Sequence, residues 1–263
     1  MTAKWDDGAG YEGFMGRWSR VLSPAFVRWA RIARGGSVLD VGCGTGALAR
    51  ALAEGGAARV RGVDLSPGFV AYASETVGAE HPSVSFEVGE ATRLPFPDGT
   101  FDAAASCLVL SHVPDPAAMA AEMGRVVRTG GVVAAAVWDY GGGMEMLRHF
   151  WDAAVALDLP GARERDEAVR SSVAGMDALR KLFGRIGPDV EIAPIDVPMQ
   201  FRDFDDYWRP FLAGIGPAGG FVVSLSEEDR ERMRTWLERR IPAAPGGGLA
   251  LVSRALAVRV VKA

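Results

Sequence analysis

Cysteine and long apolar runs are scarce in this sequence. Its 263 residues include two cysteines, Cys43 and Cys107, with no C-x-x-C pair. This argues against a disulfide framework or a thiolate zinc site, so we expect no metal and a reducing, cytoplasmic location. The opening segment lacks the basic and apolar regions of an export signal. The longest run without Asp, Glu, Lys or Arg, 210–226, is interrupted by prolines and glycines, which argues against a membrane span.

An excess of positive charge is also missing. The formal net charge is −4, so no basic field gathers phosphates, and we expect no nucleic-acid partner. With 49% apolar and 24% charged residues the composition is typical of a soluble globular protein. The length leaves room for one large α/β domain or for a core with a small second element.

Short β-rich runs alternate with helical patterns from Ser37 to about Tyr140. The predicted strands are SVLDVG, RVRGVDL, VSFEVGE, FDAAASCLVL and GGVVAAAVW. Apolar strands that alternate with helices indicate a parallel sheet covered on both faces. Ser66–Pro67 and Asp115–Pro116 each place a capping residue before a proline, which predicts a helix start. The pattern therefore predicts five βα units of a doubly wound α/β fold.

The flanking regions are predicted to add helices to this core. Ser23 as a cap, with Pro24 at the first helical position, predicts a helix that ends at Gly35–Gly36. Helical patterns over 143–157 and 163–185 precede a strand-like stretch, 190–201, and an aromatic-rich segment, FRDFDDYWRPFLAGIGPAGGF. A helix over 227–241, capped by Ser226, and a final strand, LAVRVV, complete the pattern. We expect a helical cover over 1–36, a core over 37–200 plus 250–263, and a cap over 201–249 within the same domain.

The glycine-rich stretch VLDVGCGTGALAR, residues 38–50, is the most informative part of the sequence. Gly42, Gly44 and Gly46 follow a buried strand and open a helix, so a ligand can lie against the backbone there. A nucleotide is the predicted ligand, and a glycine-rich turn without a ligand is the alternative. Gly42, Gly44 and Ala47 also satisfy the dinucleotide fingerprint G-x-G-x-x-G/A.

Acidic residues end the first three predicted strands. Asp40 would lie beside the pyrophosphate of a dinucleotide, where like charges repel, so an amino acid ammonium or a sulfonium is favoured. Bonding to local backbone amides is the alternative for Asp40. Asp64 is suited to accept two ribose hydroxyls, or else to cap a helix. Glu90, or the amide of Ala91, would meet an adenine edge. Together these positions predict a ligand crevice at the carboxyl ends of the strands.

The motifs VLDVGCGTG, VDLS, GEATRLPFPDGTFDAAASCLVLSHVPD and EMGRVVRTGGVV resemble the successive motifs of class I S-adenosylmethionine-dependent methyltransferases. The match covers residues 37–140 and is most similar to the small-molecule branch that includes ubiquinone and menaquinone biosynthesis methyltransferases. The opening YEGFMGRWSR resembles the N-terminal helix that folds over the cofactor in that branch. The resemblance implies a Rossmann-like fold with a seven-stranded, mostly parallel sheet, a helical N-terminal cover and an inserted cap.

The resemblance also implies which residues meet S-adenosylmethionine. Asp40 and the three glycines would contact the methionine part, Asp64 the ribose, and Glu90 with Ala91 the adenine. Where this chain has Glu90, the family more often has Asp. The expected set of cofactor-binding residues is Tyr11, Arg17, Asp40, Gly42, Cys43, Gly44, Gly46, Asp64, Leu65, Glu90, Ala91 and Leu108.

The resemblance further implies methyl transfer to a small-molecule acceptor by in-line displacement, which chiefly requires positioning and exclusion of water. His112, just past the fourth strand, is the candidate general base if the acceptor must lose a proton, and a structural histidine is the alternative. Tyr140, Glu145, His149 and Asp139 are weaker candidates. The aromatic residues over 201–221 either line an acceptor pocket or form plain core. A nicotinamide-dependent oxidoreductase and a non-catalytic S-adenosylmethionine-binding module are the rival functions.

Overall fold

A single seven-stranded sheet organises the protein. The computed structural model describes residues 7–171, 173 and 175–263. Along the sheet the strands follow the order β3-β2-β1-β4-β5-β7-β6. Their bounds are β1 (Ser37–Val41), β2 (Arg59–Asp64), β3 (Val84–Val88), β4 (Phe101–Cys107), β5 (Val127–Trp138), β6 (Glu191–Phe201) and β7 (Leu249–Val261).

Helices precede the first strand and connect the later ones. They are α1 (Gly8–Tyr11), α2 (Arg17–Ala30), α3 (Ala47–Glu54), α4 (Pro67–Ala73), α5 (Pro116–Val126), α6 (Glu145–Ala156), α7 (Ala162–Arg165), α8 (Glu167–Arg170), α9 (Met176–Phe183), α10 (Phe204–Trp208), α11 (Gly216–Ser224) and α12 (Glu227–Arg240). None of the helices in the described ranges has the length and apolar character that crossing a bilayer requires.

The pairing of β1 creates the crevice that the sequence predicts. Asp40 lies opposite Gly62 of β2 on one side and opposite Ala105 of β4 on the other, and both pairings are parallel. The pairs β2/β3 and β4/β5 are parallel as well. The chain thus proceeds outward from β1 to β3 and then returns to β4 on the other side of β1. Ligands bind in the crevice at such a reversal of strand order, outside the carboxyl ends of the strands.

The described residues group into two compact units. The core unit takes residues between 6 and 137, between 172 and 195, and between 255 and 263. It contains the five predicted βα strands, and its interior is a continuous apolar cluster that includes Leu39, Val41, Ala104, Met119 and Val133. The second unit takes Trp138–Ser171 and Asp196–Arg254. The predicted cap, 201–249, lies inside this second unit.

Aromatic side chains form the interior of the second unit. Phe150 stacks on Phe211 with ring centroids 4.6 Å apart, and its other contacts are edge-on to Trp151 and Phe221. The hydroxyl of Tyr207 donates a 3.0 Å hydrogen bond to the Met146 carbonyl. All these rings are at most 1% exposed. The geometry therefore favours plain core over an acceptor pocket for the aromatic segment.

The N-terminal helix corrects one prediction. Ser23 and Pro24 lie inside α2, and Ser23 is fully buried, so this pair does not start a helix. Helical structure begins upstream, where the side chain of Asp7 accepts a 2.9 Å hydrogen bond from the Gly10 amide. It continues through a π-helical turn, Glu12–Gly16, into α2. The helix ends at Arg31, in the left-handed conformation, before the predicted glycine pair.

Helix starts elsewhere follow local chemistry. The side chains of Ser66 and Asp115 accept hydrogen bonds from the first-turn amides of α4 and α5, which confirms both predicted starts. Ser226 caps α12 in the same way, by accepting from the Asp229 amide at 3.1 Å. The helical pattern over 163–185 is wrong as a single helix. Asp166 accepts from the Ala168 amide and starts the separate helix α8.

Candidate active site

The glycine-rich turn joins β1 to α3, and its three glycines all have positive φ. The φ angles are 74° at Gly42, 51° at Gly44 and 91° at Gly46. A Cβ at Gly42 would lie 2.5 Å from the Val109 side chain, and one at Gly46 would lie 2.9 Å from the Val77 side chain. Packing therefore requires glycine at both positions. A Cβ at Gly44 would have nothing within 4 Å. Gly44 thus presents bare backbone to open space, as a ligand that approaches the chain requires.

Asp40, the penultimate residue of β1, is completely buried, with 0% of its surface exposed. Neither carboxylate oxygen has a hydrogen-bond partner among the described residues. Burial, and then the nearby charge of Asp64, raise the pKa of Asp40 to about 8. Buried polar groups in native proteins are almost always paired. A carboxylate without a partner at the end of β1 therefore marks a place that fits a cationic ligand group.

Asp64 ties the glycine-rich turn to the end of β2. Its Oδ2 accepts a 2.9 Å hydrogen bond from the Gly44 amide, and its Oδ1 accepts one of the same length from the Ser66 amide. Ser66 itself caps α4 with its hydroxyl, so Asp64 is not the cap. Each carboxylate oxygen can accept more than one hydrogen bond, so a carboxylate at this position suits a ligand that brings donors. Leu65, the next residue, is 72% exposed and adds an apolar surface at this edge.

Glu90 and Ala91 follow β3 on the same side of the sheet. Glu90 is exposed, and its Oε1 accepts a 2.5 Å hydrogen bond from the hydroxyl of Thr92. Ala91 is partly buried. Glu90 thus lies just past the end of β3, and one of its carboxylate oxygens accepts a hydrogen bond from a neighbouring hydroxyl.

The N-terminal segment contacts the glycine-rich turn directly. Glu12, in the π-helical turn, accepts a 2.5 Å hydrogen bond from the hydroxyl of Thr45 and pairs with Arg20. Thr45 is 4% exposed. Neither Glu12 nor Thr45 is among the residues predicted from the sequence. Only the presence of Thr45 between two of the glycines could have indicated this contact.

Tyr11 and Arg17, the two predicted contacts from this segment, have neighbours close by. The Tyr11 ring lies 5.4 Å from that of Phe69, and its hydroxyl lies 3.4 Å from the Ser19 hydroxyl. Burial raises the pKa of Tyr11 to about 12. The Arg17 guanidinium lies over the Trp18 ring at 4.5 Å. Both residues thus belong to the helical segment that contacts the turn through Glu12.

Leu108 follows β4 in a conformation that leucine seldom adopts. Its φ is 66°, it is 7% exposed, and its amide donates a 2.7 Å hydrogen bond to the Ala136 carbonyl. Non-glycine residues with positive φ are uncommon and concentrate at functional sites. This backbone geometry, which the sequence does not reveal, supports the placement of Leu108 in the crevice wall.

His112 and Cys43 complete the predicted set in the core unit, and Cys107 lies at the end of β4. His112 is exposed, and loss of hydration around the imidazole lowers its pKa. Burial raises the pKa of the Cys107 thiol to about 12 and that of Cys43 well above its usual value. Both thiols therefore stay protonated, and neither is an activated nucleophile. The weaker base candidates Tyr140, Glu145, His149 and Asp139 belong to the second unit.

Comparison with known families agrees with this geometry. Residues 39–135, which include the glycine-rich turn and strands β2 to β4, match a family model described as a methyltransferase domain. This stretch of the chain is similar to a methyltransferase domain. The resemblance predicted from the motifs is thereby confirmed.

Curated relatives of this domain differ in their substrates. The chain is 32% identical over 197 residues to a 2-methyl-6-phytyl-1,4-hydroquinone methyltransferase of Synechocystis, a match that covers 73% of this chain and 61% of the relative. It is 36% identical over 104 residues to a demethylmenaquinone methyltransferase of Bacillus licheniformis, covering 39% of this chain and 44% of the relative. The chain thus spans less than two thirds of the length of either relative.

Solved structures share the fold. The YcgJ protein of Bacillus subtilis is 20% identical with a TM-score of 0.61, covering 94% of this chain and 98% of that one. Phosphoethanolamine N-methyltransferase 2 of Haemonchus contortus, in complex with phosphomonomethylethanolamine and S-adenosylhomocysteine, is 19% identical with a TM-score of 0.60. That match covers 97% of this chain and 57% of the other. The likeness and the seven-stranded sheet confirm the predicted fold class.

Proposed function

We propose that this protein transfers a methyl group from S-adenosylmethionine to a small-molecule acceptor. The observation that carries the proposal is the pairing of two features at the end of β1. Asp40 is a buried carboxylate without a partner among the described residues, and Gly44 leaves its backbone open. An amino acid cation attached to a nucleoside fits both features, whereas the diphosphate of a dinucleotide would bring negative charge toward Asp40.

The core unit offers a contact for each part of the cofactor. Asp40 would hold the methionine ammonium, and the backbone at Gly42, Gly44 and Gly46 would lie against the amino acid part. Asp64 would accept the ribose hydroxyls, as a carboxylate at the end of β2 can do. Leu65 would pack against the adenine, and Glu90 or the Ala91 amide would meet its edge. Cys43 and Leu108 would line the remaining wall.

The cofactor, when bound, supplies a methyl group already activated on a sulfonium, so the protein chiefly positions the acceptor and excludes water. Tyr11 and Arg17 would cover the methionine carboxylate from the N-terminal segment, which Glu12 fastens to Thr45. His112, whose imidazole is neutral at pH 7, would accept a proton from an acceptor that must lose one.

The proposal specifies the methyl acceptor only by its chemical class, a small organic molecule. Curated relatives that act on quinol-type molecules support a small organic acceptor. The net charge of −4 gives no support to a nucleic-acid acceptor. The cytoplasmic location expected from the sequence stays a prediction.

Titration calorimetry with S-adenosylmethionine, S-adenosylhomocysteine and NADH tests the cofactor. We expect saturable binding of the first two and none of NADH, and the reverse pattern would refute the proposal in favour of an oxidoreductase. A metabolite extract supplied with methyl-labelled S-adenosylmethionine tests the transfer, with the Gly44→Val variant as the inactive control. Tight cofactor binding without any labelled product across extracts would identify a non-catalytic binding module instead.

A further inference from the structure

Asp40 has surroundings that do not favour its negative charge. It is 0% exposed, and neither of its oxygens has a hydrogen-bond partner among the described residues. Among the described residues, the Ala49 amide, in the first turn of α3, is the one group that favours the charged form, and its contact with Asp40 does not meet hydrogen-bond geometry. An ionised carboxylate in such a place loses its hydration without compensation.

The neighbouring titratable groups make the ionised state still less favourable. The negative charge of Asp64 raises the pKa of Asp40. The charge of Asp40 would likewise raise the pKa of the Cys43 and Cys107 thiols, so both lie close to it. The Tyr11 phenol is also nearby, and the charges of Asp64 and Cys107 raise its pKa. No cation is among the groups that act on Asp40 in the described part of the chain.

We infer that Asp40 is a neutral acid in the ligand-free protein and that cofactor binding ionises it, so that one proton is released for each cofactor bound. The inference rests on the proposed function, because it requires a cationic amino acid ligand. In the step, the O–H bond of the Asp40 acid breaks and its proton passes to solvent. The carboxylate then pairs with the ammonium that the ligand brings, and charge is conserved.

Other groups near the crevice cannot supply this proton near neutral pH. Burial holds the pKa of Tyr11 and of Cys107 near about 12, so both remain protonated with or without a ligand. The lowered pKa of His112 means that its imidazole is already neutral. Glu167, in the second unit, has a pKa raised to about 7 by burial and is the group that a control must address.

The ionisation of Asp40 predicts how cofactor affinity changes with pH. Below the pKa of Asp40 in the free protein, binding must first remove a proton, so the dissociation constant rises about tenfold for each pH unit lost. Above this pKa the carboxylate is already ionised and affinity no longer depends on its titration. Cofactor affinity should therefore fall about tenfold for each unit of acidification below about pH 8.

Calorimetry in several buffers measures the released proton directly. At about pH 6.5 the ammonium of the free cofactor is protonated, so it does not take up the proton from Asp40. The observed enthalpy should depend linearly on the ionisation enthalpy of the buffer, with a slope that corresponds to release of about one proton. Methylthioadenosine, which lacks the amino acid part, should bind with a slope near zero.

Two variants assign the proton to a residue. Asp40→Asn removes the titrating acid, so any remaining binding should show no proton release and no pH dependence over this range. Glu167→Gln, in the second unit, should behave like the wild type. If Asp40→Asn fails to fold, difference infrared spectroscopy of the wild type replaces it. The carbonyl stretch of a protonated carboxylic acid should disappear when the cofactor binds.

The outcomes separate this inference from the proposed function. If S-adenosylmethionine does not bind at all, the proposed function fails. If it binds with a slope near zero at about pH 6.5, the proposed function stands and the inference is overturned. Proton release that survives Asp40→Asn, or that Glu167→Gln abolishes, overturns the assignment to Asp40.

Discussion

The backbone amide of Gly44 donates a 2.9 Å hydrogen bond to Oδ2 of Asp64. One carboxylate at the end of β2 thus fixes the turn that follows β1, while its other oxygen accepts from the Ser66 amide. Asp64 therefore acts on the cofactor site in two ways, as a proposed ribose contact and as a support for the glycine-rich turn.

Gly44→Val should abolish cofactor binding and leave the fold intact. The φ of 51° costs a branched residue roughly 1–2 kcal/mol, but no protein atom lies where the new side chain begins. Gly35→Val is the matched control, since Gly35 has a φ of 77° and is equally open. It should lose similar thermal stability and keep full binding by calorimetry. Equal binding losses in both variants would contradict a ligand site at Gly44.

Asp64→Ala should weaken cofactor binding by about 2–3 kcal/mol, because a charged acceptor of sugar hydroxyls is removed. Asp102→Ala controls for lost backbone support. Its Oδ2 accepts a 2.8 Å hydrogen bond from the Ser37 amide at the opposite end of β1. Asp102→Ala should reduce melting temperature without a change in affinity. Glu90→Ala should cost less affinity than Asp64→Ala, and normal binding by Asp64→Ala would remove the ribose assignment.

Phe211→Ala should destabilise the protein by about 3–5 kcal/mol, the usual cost of emptying a buried aromatic site. Phe211 is 0% exposed and stacks on Phe150. Leu212→Ala, at a neighbouring residue that is 40% exposed, should cost far less. Chemical denaturation measures both. A stable Phe211→Ala variant with altered acceptor preference would favour a role in acceptor binding over the core role.

His112→Ala should lower turnover by about a hundredfold or more if the acceptor must lose a proton, with cofactor affinity unchanged. Because the pKa of His112 is lowered, the wild-type rate should show no histidine inflection between about pH 6 and 8. A loss that disappears at high pH, where the acceptor ionises by itself, would support the base role. Superimposable pH profiles for the wild type and His112→Ala would make His112 structural.

Glu167 should make the protein less stable as the pH rises from about 4.5 to about 7. Its pKa is raised from 4.5 to about 7, chiefly by burial, so the unfolded state ionises first over this range. At about 1.4 kcal/mol per pKa unit, the change amounts to about 3 kcal/mol. Glu167→Gln keeps an acceptor for Trp151 Nε1, the present donor to Glu167. Chemical denaturation at several pH values should show that the free energy of unfolding depends less on pH in Glu167→Gln than in the wild type. An equal pH dependence in the two proteins would contradict the assignment to Glu167.

Local chemistry made much of the core unit predictable. Ser66 and Asp115 cap helices because a side-chain acceptor and a following proline act within one turn. The same reasoning failed at Ser23–Pro24. A helix that had already begun at Asp7 continues through the pair, and Ser23 is buried by packing that no local pattern reveals.

The site was predictable as a set of positions but not in its contacts. Alternation of strands and helices places Asp40, Asp64 and Glu90 at strand ends, which the sheet order reproduces. The absence of a partner for Asp40 among the described residues depends on side chains from several distant segments. The hydrogen bond between Glu12 and Thr45 likewise joins residues far apart in sequence.

Leu108 places a strained backbone torsion at the end of β4. A leucine held at positive φ lies roughly 1–2 kcal/mol above its relaxed backbone conformation, and the amide bond to Ala136 and its burial keep it there. A ligand that loosens either restraint lets this torsion relax. We therefore expect exchange on the microsecond-to-millisecond timescale to concentrate at Leu108 and its neighbours, where relaxation-dispersion measurements would detect it.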